Sequence, residues 1–191
     1  MKQVVFNSFP RSGNVYSSNC YHAFMHGNCS AVHIPEIFSV KEIANVTLFR
    51  KPEDAIASLI YKHSEGDQVQ LERSFNGIQS HIDYYRLYMD YAKRNNENIY
   101  IGKFDDLIND TIGHFENLSK WLDIPLVEGY KDNFQRLSLS GNVWQEKYDG
   151  HMPREKDPIR LELEKAVAKM DSIQYLNEQY QTFIDTYKTV I

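Results

Sequence analysis

Short runs of branched and aromatic residues alternate with helical patterns along the first 125 residues, and this alternation limits the fold more than any other feature. A strand, a helix and a second strand in succession form a parallel pair, with the helix packed across one face. Four strands are predicted, at Val4–Phe9, Ala31–Ile34, Asn45–Arg50 and Asn98–Phe104. We therefore predict an α/β protein with three layers, α/β/α, around a central parallel sheet.

Helical patterns occupy the segments between and after these strands. Helices are predicted from about Asn14 to Met25, from Pro52 onward, from Asp110 to Ile124 and from Pro158 onward. Four residues at helical spacing predict a packing face without chemistry, namely Tyr84, Leu87, Tyr88 and Tyr91. The polar residues 140–157 form a predicted loop without an assigned role. A chain of 191 residues suits one domain, so residues 1–191 are predicted to form a single unit.

The composition limits the classes of function. The chain is 42% hydrophobic and 25% charged, and no apolar run approaches the ~20 residues that span a bilayer. The N-terminal residues also lack the pattern of a secretory signal, so we expect a cytoplasmic protein that does not associate with membranes. The net charge of −5 argues against nucleic-acid binding. Because residues 1–50 carry +2 and the remainder −7, an anion site is expected early in the chain.

The stretch FPRSGNVY joins the first predicted strand to the first predicted helix. A helix N-terminus presents unpaired N–H groups and a partial positive charge, so a glycine-containing turn before it suits a phosphate or sulfate. Gly13 lets the backbone approach an anion, Ser12 adds a hydroxyl and Arg11 adds a charge. Taken alone, this stretch fits an anion site and an ordinary tight turn equally well. The Walker A pattern of ATP- and GTP-hydrolysing proteins is absent.

A second arginine, Arg50, ends the third predicted strand, and Ser58 follows it on the next predicted helix. The carboxyl ends of parallel strands share one edge of the sheet, so Arg11 and Arg50 are expected at the same edge. Such an arrangement suits a ligand with two separated anionic groups.

These two motifs resemble those of the sulfotransferases that use 3′-phosphoadenosine 5′-phosphosulfate (PAPS). FPRSGNVY is similar to the family's Y-P-K-S-G-T-x-W loop, which holds the 5′-phosphosulfate, with Arg11 in place of the lysine. The spacing of Arg50, Asp54 and Ser58 is similar to a second motif, whose arginine and serine bind the 3′-phosphate. The resemblance implies a fold like that of the P-loop nucleotide-binding proteins. It also implies transfer of a sulfuryl group to an acceptor hydroxyl or amine, with release of adenosine 3′,5′-bisphosphate (PAP).

The resemblance further implies a set of nucleotide-binding residues. They are Arg11, Ser12, Gly13, Asn14, Val15, Tyr16, Arg50 and Ser58. Tyr16 falls where the family has the tryptophan that stacks on adenine, and Asn14 and Val15 replace the usual threonines. A third segment, KFDDLINDTIGHFENLSKWLDIP, is similar to the family's YEDL segment, and the resemblance fades after about residue 125. The family's glycine-rich C-terminal motif is not evident, which leaves open the roles of Lys147, His151 and Arg154.

Sulfuryl transfer needs a base that takes the acceptor's proton, and imidazole groups titrate in the suitable range. His33, in the stretch VHIPE, is similar to the histidine of the family's His-Leu-Pro segment, where that histidine is the base. The resemblance thus implies His33 as the base and Arg11 as the group that stabilises the leaving oxygen. Glu36 is the alternative base, because other branches of the family use a glutamate.

No metal is expected. His22 and His26 lie four residues apart on the first predicted helix, with Cys20 and Cys29 nearby, which invites comparison with a zinc site. At about 100° per residue, however, Cys20 points away from His22 on that helix, so the four groups do not converge. Reduced thiols are the expected state of both cysteines.

Two alternatives to a sulfotransferase stay open. One is a nucleotide or nucleoside kinase on the same scaffold, which the missing Walker lysine disfavours. The other is a nucleotide-binding module of the same fold without turnover, which the changes at Asn14 and Val15 favour. The acceptor substrate and the oligomeric state remain unknown from the sequence.

Overall fold

The computed structural model describes residues 3–64, 67–139 and 158–189. Four strands form one parallel sheet in the order β2-β1-β3-β4. These strands are β1 (Gln3–Asn7), β2 (Cys29–Val32), β3 (Ile43–Phe49) and β4 (Ile99–Lys103). Each lies within two residues of its predicted bounds. The second strand ends earlier than predicted, so that His33 is the first residue after β2.

Helices account for most of the remaining described residues. They are α1 (Asn14–Phe24), α2 (Pro52–Ser64), α3 (Gln68–Asn76), α4 (Ile78–Arg94), α5 (Phe104–Asn109), α6 (Thr111–Leu122), α7 (Tyr130–Leu139), α8 (Pro158–Ala168) and α9 (Asp171–Tyr187). Two short 3-10 turns cover Pro35–Ser39 and Asn96–Asn98. The predicted helix from Asp110 begins at Thr111, because the Asp110 side chain accepts a hydrogen bond from Gly113 N at 2.8 Å and acts as the N-cap.

Each face of the sheet buries its own apolar cluster. On one face, strand residues pack against α1, α5 and α6, and the Phe24 and Phe115 rings stack with centroids 4.6 Å apart. On the other face, Phe49 and Ile101 pack against residues of α2, α4 and α9. Helices cover both faces of the sheet, and alternate strand residues face opposite sides. These short strands are therefore apolar on both faces. The predicted three-layer α/β/α fold with a central parallel sheet is confirmed.

The described residues do not test two further predictions. Residues 140–157, with Lys147, His151 and Arg154, lie outside the described residues. The assignment of all 191 residues to one domain stays a prediction. Within the described ranges, none of the helices combines the length and the apolar character that crossing a membrane requires.

Candidate functional site

The predicted site residues follow the carboxyl ends of neighbouring strands. The loop with Arg11 follows β1, His33 follows β2, Arg50 follows β3, and Phe104 follows β4. All four strands run parallel, so these residues lie along one edge of the sheet. This edge is where ligands bind in open α/β sheets.

The loop between β1 and α1 is a tight turn with two residues in the left-handed region. Ser12 N donates to Phe9 O at 3.2 Å, while Arg11 has a φ of 68° and Gly13 a φ of 90°. A Cβ at Gly13 would lie 2.7 Å from the Phe104 ring, so the position also requires the absence of a side chain. Because Ser17 N makes the first helical bond, to Gly13 O at 2.8 Å, the preceding N–H groups of the first turn point toward this edge.

The two sequence motifs meet at this loop. Arg11 Nε donates to Ser58 Oγ at 3.3 Å, and Arg50 Nη1 donates to Arg11 O at 3.4 Å. Arg11 and Ser58 are 47 residues apart in the sequence. The fold therefore brings the side chains of both motifs into one cluster of two arginines and a buried serine.

Arg50 is an unusually buried cation. Its side chain is in contact with the Phe104 ring, 5.2 Å from the guanidinium carbon to the ring centroid, and only 8% of the residue is exposed. Burial lowers the pKa of Arg50, and the carboxylate of Asp54 opposes this effect. A guanidinium removed from water in this way gains most from a negatively charged neighbour.

Two buried polar atoms at the start of α1 have no hydrogen-bond partner among the described residues. They are Ser12 Oγ and Asn14 Oδ1. The Ser12 hydroxyl has a proton to donate and suits an anion. The Asn14 amide nitrogen instead donates to Val32 O at 2.6 Å, so this side chain ties α1 to the end of β2. What Asn14 and Val15 can contribute to an anion site is their backbone N–H groups, because these belong to the first turn of α1 and have no acceptor within the helix.

Tyr16 lies in the core rather than at the surface. The residue is 8% exposed, and its hydroxyl is 3.2 Å from Thr111 Oγ1, which itself donates to Leu107 O at 2.8 Å. The tyrosine hydroxyl is therefore the donor in the first of these bonds. Burial raises the pKa of Tyr16, which keeps the phenol neutral. Little of the ring is exposed for stacking on a base.

His33 is held by its ring and by its backbone. Its Nδ1 lies 2.7 Å from Ser8 O and 3.3 Å from the amide nitrogen of Asn14. A carbonyl can only accept, so in the neutral ring the shorter contact puts the proton on Nδ1 and leaves the lone pair on Nε2, and the longer contact with Asn14 is then not a hydrogen bond. The His33 carbonyl accepts a hydrogen bond from the Tyr84 hydroxyl at 2.8 Å. His33 is exposed, and Glu36 is also exposed on the 3-10 turn that follows. Both candidate bases thus lie on the segment after β2.

The cysteines and histidines of α1 and β2 form no evident metal centre. Cys29 Sγ is 3.6 Å from His22 Nε2, whereas Cys20 is buried beside Tyr16, and burial raises the pKa of Cys20 to about 12. In the part of the chain that the structure describes, no three His, Cys, Asp or Glu side chains are grouped as metal ligands would be.

Two contributors to this site were missed from the sequence. Phe104 covers Arg50 and contacts the position of Gly13, and it stands at the carboxyl end of a predicted strand, where the position alone marks it as a candidate. Ser8 orients His33 through its carbonyl and binds Leu48 N through its hydroxyl at 2.8 Å. No feature of the sequence distinguishes Ser8 from other serines.

Comparison with known proteins gives a likeness in fold only. No family model and no curated protein matches the sequence. Among solved structures, the chain is similar to mouse sulfotransferase SULT7A1 complexed with PAP, with a TM-score of 0.55 and 10% sequence identity. The match covers 97% of this chain and 83% of that chain. The chain therefore has a sulfotransferase-like fold.

Proposed function

We propose that this protein is a sulfotransferase that moves a sulfuryl group from PAPS to an acceptor hydroxyl or amine. The contact between Arg11 and Ser58 carries the proposal, because it joins two motifs that are distant in the sequence at one anion-binding edge. A fold shared with a sulfotransferase that binds PAP gives independent support.

The residues at this edge fit a nucleotide with several anionic groups. The first-turn N–H groups of α1, the buried Ser12 hydroxyl and the Arg11 guanidinium suit the 5′-phosphosulfate. Arg50 and Ser58 suit the 3′-phosphate, since the Ser58 hydroxyl accepts from Arg11 and still has its own proton to donate. The burial of the Arg50 charge, which Asp54 offsets only in part, also favours an anion here.

The proposed transfer forms a bond between the acceptor oxygen or nitrogen and sulfur, and breaks the bond between sulfur and the bridging oxygen. That oxygen keeps the electron pair and leaves with PAP, and Arg11 stabilises its negative charge. His33 Nε2 takes the acceptor's proton, with Glu36 as the alternative base. Positioning and charge neutralisation then provide most of the rate, as in phosphoryl transfer.

Calorimetric titration tests the nucleotide site. PAP should bind the parent protein more tightly than adenosine 5′-phosphate, and Arg50→Ala should weaken PAP about ten- to a hundredfold while leaving adenosine 5′-phosphate nearly unchanged. Arg94→Ala is the matched control, because it removes the same charge from an exposed residue at the end of α4. Equal losses for both nucleotides in Arg50→Ala would reduce the proposal to a general anion loop.

A labelled-sulfate transfer assay over a panel of phenols, alcohols and amines tests turnover. The parent should label at least one acceptor, and Arg11→Ala should abolish labelling because the leaving oxygen loses its cation. Tight PAP binding without labelling would favour the binding module. ATP with magnesium that binds more tightly than PAP would favour the kinase.

A further inference from the structure

Helix α4 carries three tyrosines whose hydroxyls reach the carboxyl ends of three different strands. Tyr84 donates to His33 O at 2.8 Å, after β2, and Tyr85 donates to Arg50 O at 2.5 Å, after β3. Tyr88 donates to Asn7 Oδ1 at 3.4 Å, at the end of β1. Two of these three acceptors belong to residues of the candidate site.

The same tyrosines enclose the loop that follows β1. The Phe9 ring is fully buried, with its centroid 5.8 Å from Tyr84, 5.0 Å from Tyr85 and 6.2 Å from Tyr88. Phe9 immediately precedes Pro10 and Arg11 in the anion loop. Helix α4 therefore contacts the segments after β1, β2 and β3 from one side.

The Tyr85 and Tyr88 hydroxyls are suited to donate and not to ionise. Burial raises the pKa of Tyr85 well above its ordinary value, and burial also raises the pKa of Tyr88. A backbone carbonyl that is held by a fixed donor limits the rotation of its peptide, and the peptide in turn sets the direction of the side chain. His33 and Arg50 are both held in this way.

We propose that Tyr84 and Tyr85 are separate positioning residues, Tyr84 for the His33 imidazole and Tyr85 for the Arg50 guanidinium. The inference rests on the proposed function and assigns one part of it to each of two neighbouring hydroxyls. Tyr84 acts on proton transfer, and Tyr85 acts on recognition of the anion.

The test compares Tyr84→Phe, Tyr85→Phe and Tyr91→Phe, each of which removes one hydroxyl and keeps the ring. Tyr91 is the control, because it lies on the same helix and its ring contacts the Arg94 guanidinium, while its hydroxyl donates to none of the strand ends within the described residues. Urea unfolding identifies any variant that loses its fold. Tyr85→Phe should weaken binding of PAP and of inorganic sulfate about five- to tenfold, whereas Tyr84→Phe and Tyr91→Phe should leave both within twofold.

The Tyr84 arm is measured without any nucleotide. Nitrogen NMR of the His33 imidazole should show mainly the Nδ1–H tautomer in the parent and in Tyr85→Phe, and a clear increase of the Nε2–H tautomer in Tyr84→Phe. With an active acceptor, Tyr84→Phe should lower kcat about tenfold at unchanged PAP affinity. It should have no further effect in a His33→Ala background.

The outcomes separate the inference from the proposed function. If the parent binds sulfate but does not prefer PAP to adenosine 5′-phosphate, the proposed function fails, and the sulfate and NMR results still decide the inference. If Tyr84→Phe and Tyr85→Phe change the same quantities by the same factor, or change neither, the assignment of separate roles is overturned.

Discussion

Gly13 satisfies two independent requirements at one backbone position. Its φ of 90° is strained for any residue with a side chain, and a Cβ would lie 2.7 Å from two carbons of the Phe104 ring. Gly129 shares only the first requirement, since its φ is 70° but, apart from its chain neighbours, no atom of the described residues lies within 4 Å of an added Cβ. The two glycines therefore separate backbone strain from steric conflict.

We expect Gly13→Ala to cost more stability than Gly129→Ala. The left-handed backbone should cost roughly 1–2 kcal/mol in both variants. The conflict with Phe104 should add roughly 1–3 kcal/mol at Gly13, because Phe104 is also packed against Arg50. Urea unfolding of both variants measures the difference, and equal losses would show that the ring moves aside freely.

His114 introduces a pH dependence into the stability. It is buried on α6 against the Tyr100 ring, and burial lowers the pKa of His114 to about 4, although Asp106 and Asp110 oppose the shift. The unfolded chain therefore takes up a proton near pH 6.5 that the native state does not bind until about pH 4. Stability from this residue is fully present above pH 6.5 and falls progressively between these two values.

His114→Gln should remove this dependence. Between pH 7 and pH 5 the parent should lose about 2 kcal/mol more unfolding free energy than the variant, since one pKa unit corresponds to about 1.4 kcal/mol. Urea unfolding at both pH values gives the comparison, and groups that titrate in both proteins cancel. Parallel pH profiles for parent and variant would contradict the assignment.

At the scale of elements, the C-terminal residues close an edge of the sheet. β4 is an edge strand, and Thr189, just after α9, pairs with it: Thr189 N donates to Ile101 O, and Ile101 N donates to Thr189 Oγ1, both at 2.9 Å. Unpaired edges are prone to association with other chains, so this contact protects the strand. It also fixes the end of α9 against β4.

Thr189→Val should therefore destabilise the protein by about 1–3 kcal/mol, because the Ile101 N–H loses its acceptor while the shape of the side chain is kept. Thr186→Val is the control, since Thr186 is exposed and its hydroxyl donates within α9, to Thr182 O. Urea unfolding measures both, and hydrogen exchange at Ile101 should accelerate only in Thr189→Val. Equal, small effects would mean that water replaces the hydroxyl.

At the scale of the whole molecule, the candidate site joins segments that follow all four strands. A nucleotide that binds Arg11, Arg50 and the first turn of α1 binds only the folded chain. Such a ligand raises the unfolding free energy by about 2.7 kcal/mol at a hundred times its Kd. The whole sheet gains this stability, because the segments that bind the ligand follow adjacent strands.

PAP at that concentration should raise the Tm by roughly 5–10 °C, given about 2–4 °C per kcal/mol for a chain of this size. At the same concentration, adenosine 5′-phosphate should raise it less. Arg50→Ala should lose most of the difference between the two ligands. Thermal unfolding followed by fluorescence measures the parent and Arg50→Ala with each of the two nucleotides. An identical Tm with and without millimolar PAP would argue against a nucleotide site.

Much of the site's location could be predicted because it depends on local patterns and on one topological rule. Alternating apolar runs and helical segments predict a parallel sheet, and a parallel sheet puts the ends of its strands on one edge. Arg11 and Arg50 are thus expected at that edge from their positions alone. The buried environment of Tyr16 could not be predicted, because it depends on Thr111, 95 residues away.

The sequence by itself determined where the four strands lie along the chain, the α/β class and the chemical character of the loop after β1. Only the tertiary structure decided which side chains meet: Arg11 with Ser58, Arg50 with Phe104, and the α4 tyrosines with the strand ends. The physical reason is that secondary structure follows from the spacing of neighbouring residues. Contacts between distant segments follow from how the layers pack, which no local pattern records.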